Sequence, residues 1–241
     1  MLRFPLSSFS DGFSTPLPTL PPIGWQILAV AVWLGLIGLL AEGLRRSGGS
    51  AEAVRKVVHM GTGNVILLAW WLDMPAWMGI SASILFGIIT LLSYRFPILP
   101  GLNSVGRKSF GTFFYAVSIG ALTAAFWQTA PYYAVMGILI MVWGDGLAAL
   151  IGQRWGNHPY KLWGMQKSWE GSLTMFGMSY IVSILLLMGI HGNLWQLWLI
   201  SLIIAATATA LEAFSKLGVD NLTVPIGSAI VAFWLNQALL V

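Results

Sequence analysis

Apolar residues in this chain come in blocks of about twenty, the length of a helix that crosses the hydrocarbon core of a bilayer. The blocks lie near 24–44, 56–72, 75–94, 110–129, 132–153, 169–190, 195–214 and 222–240, separated by short polar breaks. Runs such as Ile27 to Leu40 and Tyr180 to Ile190 show no alternation of polarity, whereas the strands of a membrane barrel alternate residue by residue. The pattern predicts an all-α fold, a polytopic membrane helix bundle of about eight transmembrane helices. Residues 1–23, rich in Pro and Ser and lacking the apolar stretch of a signal peptide, are expected to form a flexible tail. Residues 24–241 are expected to form a single transmembrane domain.

Composition agrees with the pattern. Only 8% of the residues are charged and 57% are hydrophobic, while a soluble domain carries about 25% charged residues to dress its surface. A soluble globular enzyme is therefore excluded, and so is a disordered chain. The basic residues set an orientation. Arg45, Arg46, Arg55 and Lys56 lie between the first and second blocks, Arg95, Arg107 and Lys108 between the third and fourth. Arg154, Lys161 and Lys167 follow the fifth and Lys216 the seventh, while the opposite loops hold only Asp73 and His191. By the positive-inside rule these basic loops are cytoplasmic and both termini extracytoplasmic. The net charge of +4 is thus read as an orientation signal, with no nucleic-acid partner expected. Zero cysteines exclude disulfides and thiolate sites, and three scattered histidines make no zinc site.

That orientation gathers the N-terminal ends of spans two, four, six and eight at one face. Each offers unpaired backbone N–H groups and the positive end of a helix dipole, a setting suited to phosphate. The residues there are Arg55-Lys56 with His59 one turn in, Lys108-Ser109, Lys167-Ser168 and Asp220-Asn221. Lys108-Ser109-Phe110-Gly111-Thr112 and Lys167-Ser168-Trp169-Glu170-Gly171-Ser172 are also alike. A plainer account has lysines marking the membrane border and serines capping helices. Asp145 is more telling, because a carboxylate near the bilayer centre costs roughly 2.5–3.5 kcal/mol even on lenient insertion scales. Beside it Gly144, Ala148, Gly152 and Gly156 recur every four residues, a ridge that lets another helix or a ligand come close. A buried structural aspartate paired with a basic neighbour is the alternative. Glu212 and Asp220-Asn221 fall at the same face, while Glu42, next to Arg45 and Arg46, is expected to make a local ion pair. Carboxylates able to hold Mg²⁺ and basic helix starts able to hold phosphates so converge. Walker, nucleophile-elbow and H-E-x-x-H motifs are absent. The residues alone lead to a membrane-embedded site for a nucleotide or other polyphosphate and a lipid.

Four segments in order carry a further likeness: Arg55-Lys56-Val57-Val58-His59, Gly144-Asp145-Gly146-Leu147-Ala148 with Gly152 and Gly156, Lys167 to Ser172, and Glu212, Ser215 and Asp220 to Pro225. Together they resemble the polyprenol kinase family of phytol, farnesol and dolichol kinases, and most of all its phytol kinases. The resemblance implies a multi-pass enzyme that uses a nucleoside triphosphate, typically CTP, to phosphorylate a long-chain isoprenoid alcohol. Phytol would become phytyl phosphate on the way to tocopherol, in a plasma or thylakoid membrane, with the active site at the cytoplasmic face. In that scheme Asp145, Asp220 and Glu212 hold Mg²⁺, and one of the acids orients the alcohol. Arg55, Lys56, Lys108 and Lys167 neutralise phosphate oxygens, and Ser109, Ser168 and backbone N–H groups fix them. His59, Gly171, Ser172 and Asn221 complete the nucleotide set, and Glu170 binds metal or acts as base. A CTP-dependent phosphatidate cytidylyltransferase shares the stretches Gly152 to Gly156 and Lys167 to Gly171. Its later glycine–histidine run is missing here, where Asp220-Asn221-Leu222-Thr223-Val224-Pro225 stands instead. A small non-catalytic transporter would keep Asp145 but leave the Lys-Ser helix starts unexplained.

Overall fold

A computed structural model describes residues 22–96 and 110–240. The described part of every apolar block is mostly helical: α1 (Pro22–Arg46), α2 (Ala51–Gly63), α3 (Val65–Trp71), α4 (Ala76–Arg95) and α5 (Gly111–Phe126). The fifth block is α6 (Pro131–Leu139), a π-helical turn (Ile140–Asp145) and α7 (Gly146–Trp155), running as one span. A hairpin of β1 (Pro159–Leu162) and β2 (Met165–Ser168) leads into α8 (Trp169–His191), followed by α9 (Trp195–Ala213) and α10 (Asp220–Leu239). Among the described residues, six helices are long and apolar enough to cross a membrane; α5 is a shorter apolar helix. The all-α membrane bundle is thus what the chain forms. The expected tail, apart from its last two residues, and the stretch with Arg107, Lys108 and Ser109 lie outside the described residues.

The Pro131–Trp155 span is the centre, 67% of its apolar window being buried against 11% for α1. Met136, Ile138, Ile140, Met141 and Val142 are wholly enclosed, as expected for a helix apolar all round. Around it α4 packs on α5, α8 on α9, and α9 on α10, while α1 leans on α2 and leaves Leu39 and Leu40 facing outward. Small residues allow the closest approaches. A Cβ on Gly137 would strike the Pro225 carbonyl of α10, and one on Gly144 would strike Met175 of α8. Gly152 and Gly156 likewise meet Ser168. The ridge expected from the four-residue spacing is therefore the seam between the central span and α8.

Two features depart from simple spans. The second block breaks at Asn64, which caps α2 and accepts a hydrogen bond from Trp143 Nε1 at 3.1 Å. The hairpin pairs Tyr160 with Lys167 and Lys161 with Gln166 antiparallel. Its turn, Trp163-Gly164, holds φ of 49° and 80°, the left-handed pair that matches the twist of two strands. Elsewhere local expectations hold: Ser168 Oγ caps α8 by accepting from Gly171 N at 3.1 Å, and Glu42 binds Arg45 at 2.7 Å and Arg46 at 2.6 Å.

Gly137→Ala is expected to destabilise the detergent-solubilised protein by about 1–3 kcal/mol through overpacking. Gly177→Ala, with nothing within 4 Å of the added carbon, should be neutral or stabilising by up to about 1 kcal/mol. Thermal unfolding of the two variants side by side measures the contrast.

Candidate functional site

Asp145 closes the π-helical turn, and its side chain enters the bundle at 16% exposure. A carboxylate there needs a cation, and α2 supplies one. Lys56, only 2% exposed, donates from Nζ to Asp145 Oδ2 at 2.6 Å and to the Asp145 carbonyl at 3.2 Å. His59, one turn further along α2, brings Nε2 to 3.8 Å from the same Oδ2, too far for a hydrogen bond, and that nitrogen is buried without a partner. The His59 ring rests on Tyr115 of α5 at 4.7 Å, and the Tyr115 hydroxyl donates to the His59 carbonyl at 3.3 Å.

A second lysine–carboxylate pair stands across the site. Lys167, near the end of β2, forms an ion pair with Glu212 of α9 and donates to the Glu212 carbonyl at 2.6 Å. It straps the hairpin to the end of α9. Asp220, the first residue of α10, is held by its N–H donating to Ser215 Oγ at 2.5 Å. It lies within electrostatic reach of Asp145, Lys167 and Lys56. Arg55, paired with Glu52 at 2.6 Å, also acts on Asp145 and Asp220. Asn221 is buried with its Oδ1 unpartnered.

Between these pairs lies a cleft of about 230 Å³ lined by Asp145, Lys167, Ser168, Gly171, Ser172 and Glu212, with Gly152 and Gly156 forming its wall. Whole drug-sized ligands occupy roughly 300–1,000 Å³. This cleft is smaller than that and lined largely by polar and glycine residues. The glycines leave room for a close approach to the backbone, and the start of α8 is capped by Ser168, whose Oγ takes the Gly171 N–H.

Two expected phosphate and metal residues, Glu170 and Lys56, sit elsewhere. Glu170 does not line the cleft. Its carboxylate accepts from the N–H groups of Asn157 and His158, both at 3.1 Å, and pairs with His158 Nδ1 at 2.7 Å. It clamps the root of the hairpin, because the loop returning from α7 needs an acceptor for those N–H groups. Lys56 is not open to phosphate, being enclosed and committed to Asp145. Glu212 is paired with Lys167, and among the described residues no three His, Asp or Glu side chains come together. The cleft also has a wall that the sequence did not signal, the hairpin residues Pro159 and Gln166, along with Gln153 of α7. Behind them the Tyr160 hydroxyl meets Ser172 Oγ at 2.7 Å and ties the hairpin to α8.

Fold and cleft together define a polytopic membrane protein with an ion-paired polar site at one end of its bundle. The chain is 48% identical over 218 residues to the phytol kinase of Synechocystis sp., covering 90% of this chain and 94% of that protein. It is 29% identical over 230 residues to probable phytol kinase 2, chloroplastic, of Oryza sativa (87% of this chain, 74% of that one). To phytol kinase 1, chloroplastic, of Arabidopsis thaliana it is 28% identical over 207 residues (74% and 65%). No family model matches the chain, and no solved structure does. The chain belongs to the phytol kinase family, within the polyprenol kinases that its motifs resemble.

Lys56→Met leaves the Asp145 carboxylate buried without its cation and is expected to cost about 3–5 kcal/mol of stability. Adding Asp145→Leu should recover most of that loss, since a buried pair is replaceable by apolar residues at little cost. Thermal unfolding of the single and double variants reads the coupling.

Proposed function

We propose that this protein transfers the γ-phosphate of a nucleoside triphosphate, CTP by the family resemblance, to the hydroxyl of an isoprenoid alcohol such as phytol, giving phytyl phosphate. The observation that carries the reading is the capped Lys167-Ser168 start of α8 facing Asp145 across a polar cleft in an otherwise apolar bundle. The names of the relatives support a kinase rather than a cytidylyltransferase.

Phosphoryl transfer asks a protein chiefly for positioning and charge neutralisation. The alcohol oxygen attacks the γ-phosphorus while the bond from that phosphorus to the bridging oxygen breaks. A nucleoside diphosphate departs with the electron pair, and the hydroxyl proton passes to a carboxylate, for which Asp220 is the candidate. Lys167 exchanges its Glu212 partner for phosphate oxygens, and Ser168, Gly171 and Ser172 seat them. Arg55, Lys108, Ser109, His59 and Asn221 complete the phosphate and nucleotide set, while Lys56 acts by holding Asp145 in place. Mg²⁺ is usually held by one or two carboxylates plus substrate phosphates, which Asp145 and Asp220 fit, and it would supply further charge neutralisation there. Glu212, released when Lys167 turns to phosphate, is a third carboxylate able to join them. The reading places the cleft at the cytoplasmic face of a plasma or thylakoid membrane, both termini outside, within one transmembrane kinase domain over 24–241.

With the protein reconstituted in liposomes, γ-labelled CTP and phytol, label is expected on the lipid. A CMP-lipid with release of pyrophosphate would overturn the kinase reading. Asp145→Asn should lower the transfer rate by about two orders of magnitude, the loss typical of removing one charge-stabilising group. Near-normal transfer by that variant would remove Asp145 from the metal site.

A further inference from the structure

Among the described residues, three other than glycine adopt positive φ, and two of them are large and apolar: Trp163 at 49° and Leu217 at 58°. A bulky residue in the left-handed region is strained, and strain of this kind persists where the surroundings or a function demand it. Neither side chain recovers the cost by burial, Trp163 being 72% exposed and Leu217 52%. The two belong to one patch. The Trp163 ring at the hairpin tip sits edge-on to Phe214 at 5.3 Å, and Phe214 and Leu217 both belong to the short connection between α9 and α10. Phe214 is itself 49% exposed.

Position and charge say what covers this patch. Phe214 follows directly on the last residue of α9, and the turn ends where α10 begins, so the patch lies at the level where apolar spans end. Exposed Trp169 opens α8 near the same level, and exposed Trp155 closes α7 with the Arg154 guanidinium 5.1 Å from its ring. Lys161 on β1 and Lys216 in the turn are exposed and make no ion pair among the described residues. Aromatic rings interleaved with lysine and arginine at the ends of spans are what the headgroup layer of a bilayer accommodates, and an anionic leaflet attracts the basic groups. We propose that the hairpin tip and the α9–α10 turn form a docking surface for anionic lipid headgroups. Trp163, Phe214 and Leu217 enter the interfacial layer while Lys161 and Lys216 meet lipid phosphates. The hairpin, which walls the cleft through Gln166 and Lys167, is thereby pinned to the membrane surface and not left in water. The docking stands whether or not the cleft transfers phosphate, since it is read without nucleotide or alcohol.

The absence of cysteine makes the test direct. Leu217→Cys, which keeps Trp163, and Trp163→Cys are each labelled with an environment-sensitive fluorophore in the full-length protein. Each is then reconstituted in phosphatidylcholine vesicles with or without phosphatidylglycerol. The label is expected to be shielded from acrylamide and quenched by a headgroup-level spin-labelled lipid, more so with phosphatidylglycerol. Lys161→Gln or Lys216→Gln in the Leu217→Cys background should lower the docked-to-undocked ratio about fivefold, the value of one basic residue near an anionic surface. Equal access of acrylamide in detergent and in both vesicles would overturn the proposal. Shielding without any quenching by the lipid would overturn it in favour of a protein partner on the same patch.

Discussion

A carboxylate inside an apolar bundle must bring its cation with it, and the Lys56–Asp145 pair is where this molecule meets that demand. Asp145 sits on the most enclosed span of the bundle. Its desolvation is offset only by a donor of good geometry, which Lys56 supplies at 2.6 Å while also bonding the Asp145 carbonyl. The contact joins α2 to the central span across 89 residues of sequence. It fixes how deep α2 can lie, and with it the positions of His59 and of Tyr115 behind it. The π-helical turn that ends at Asp145 belongs to the same arrangement. Such turns occur mostly as single insertions and often at functional sites. Here the turn carries Gly144, the first residue of the glycine seam against α8.

The second pair, Lys167 with Glu212, works at lower burial and ties a different kind of element. A two-stranded hairpin has little stability alone. This one is held at its root by Glu170, along its length by Tyr160 with Ser172, across the cleft by Lys167, and at its tip by Trp163 on Phe214. The cleft therefore has one rigid wall, built of glycine-rich helix against helix, and one wall strapped by polar contacts. Under the proposed transfer, Lys167 is the cation free to change partner, while Asp145 stays anchored from behind by Lys56.

Much of this could be read along the chain. Apolar blocks of membrane length specify helices because lipid offers backbone groups no other partner. Gly144, Ala148, Gly152 and Gly156 announced a close seam through their spacing, and Ser168 announced a cap through its chemistry. Glu170 misled because a carboxylate in the first turn of a helix looks the same whether it serves a ligand or a neighbouring loop. Lys56 misled because a lysine beside an arginine at a helix start resembles a phosphate grip. Only the approach of Asp145 from a distant span reveals it as that residue's partner. The hairpin left almost no signal, its strands being four residues each and its turn led by tryptophan where asparagine or aspartate is usual.

The sequence by itself determined the membrane character, the helical spans, the small-residue seam and the set of polar residues at one end of the bundle. Each of these follows from local spacing and from the energy of placing apolar and charged groups in hydrocarbon. Which lysine neutralises which acid, which carboxylate faces the cleft, and where the hairpin rests were decided only by tertiary structure. Those outcomes depend on distances between groups far apart in the chain, and ionic attraction in a low-dielectric interior acts on distance alone.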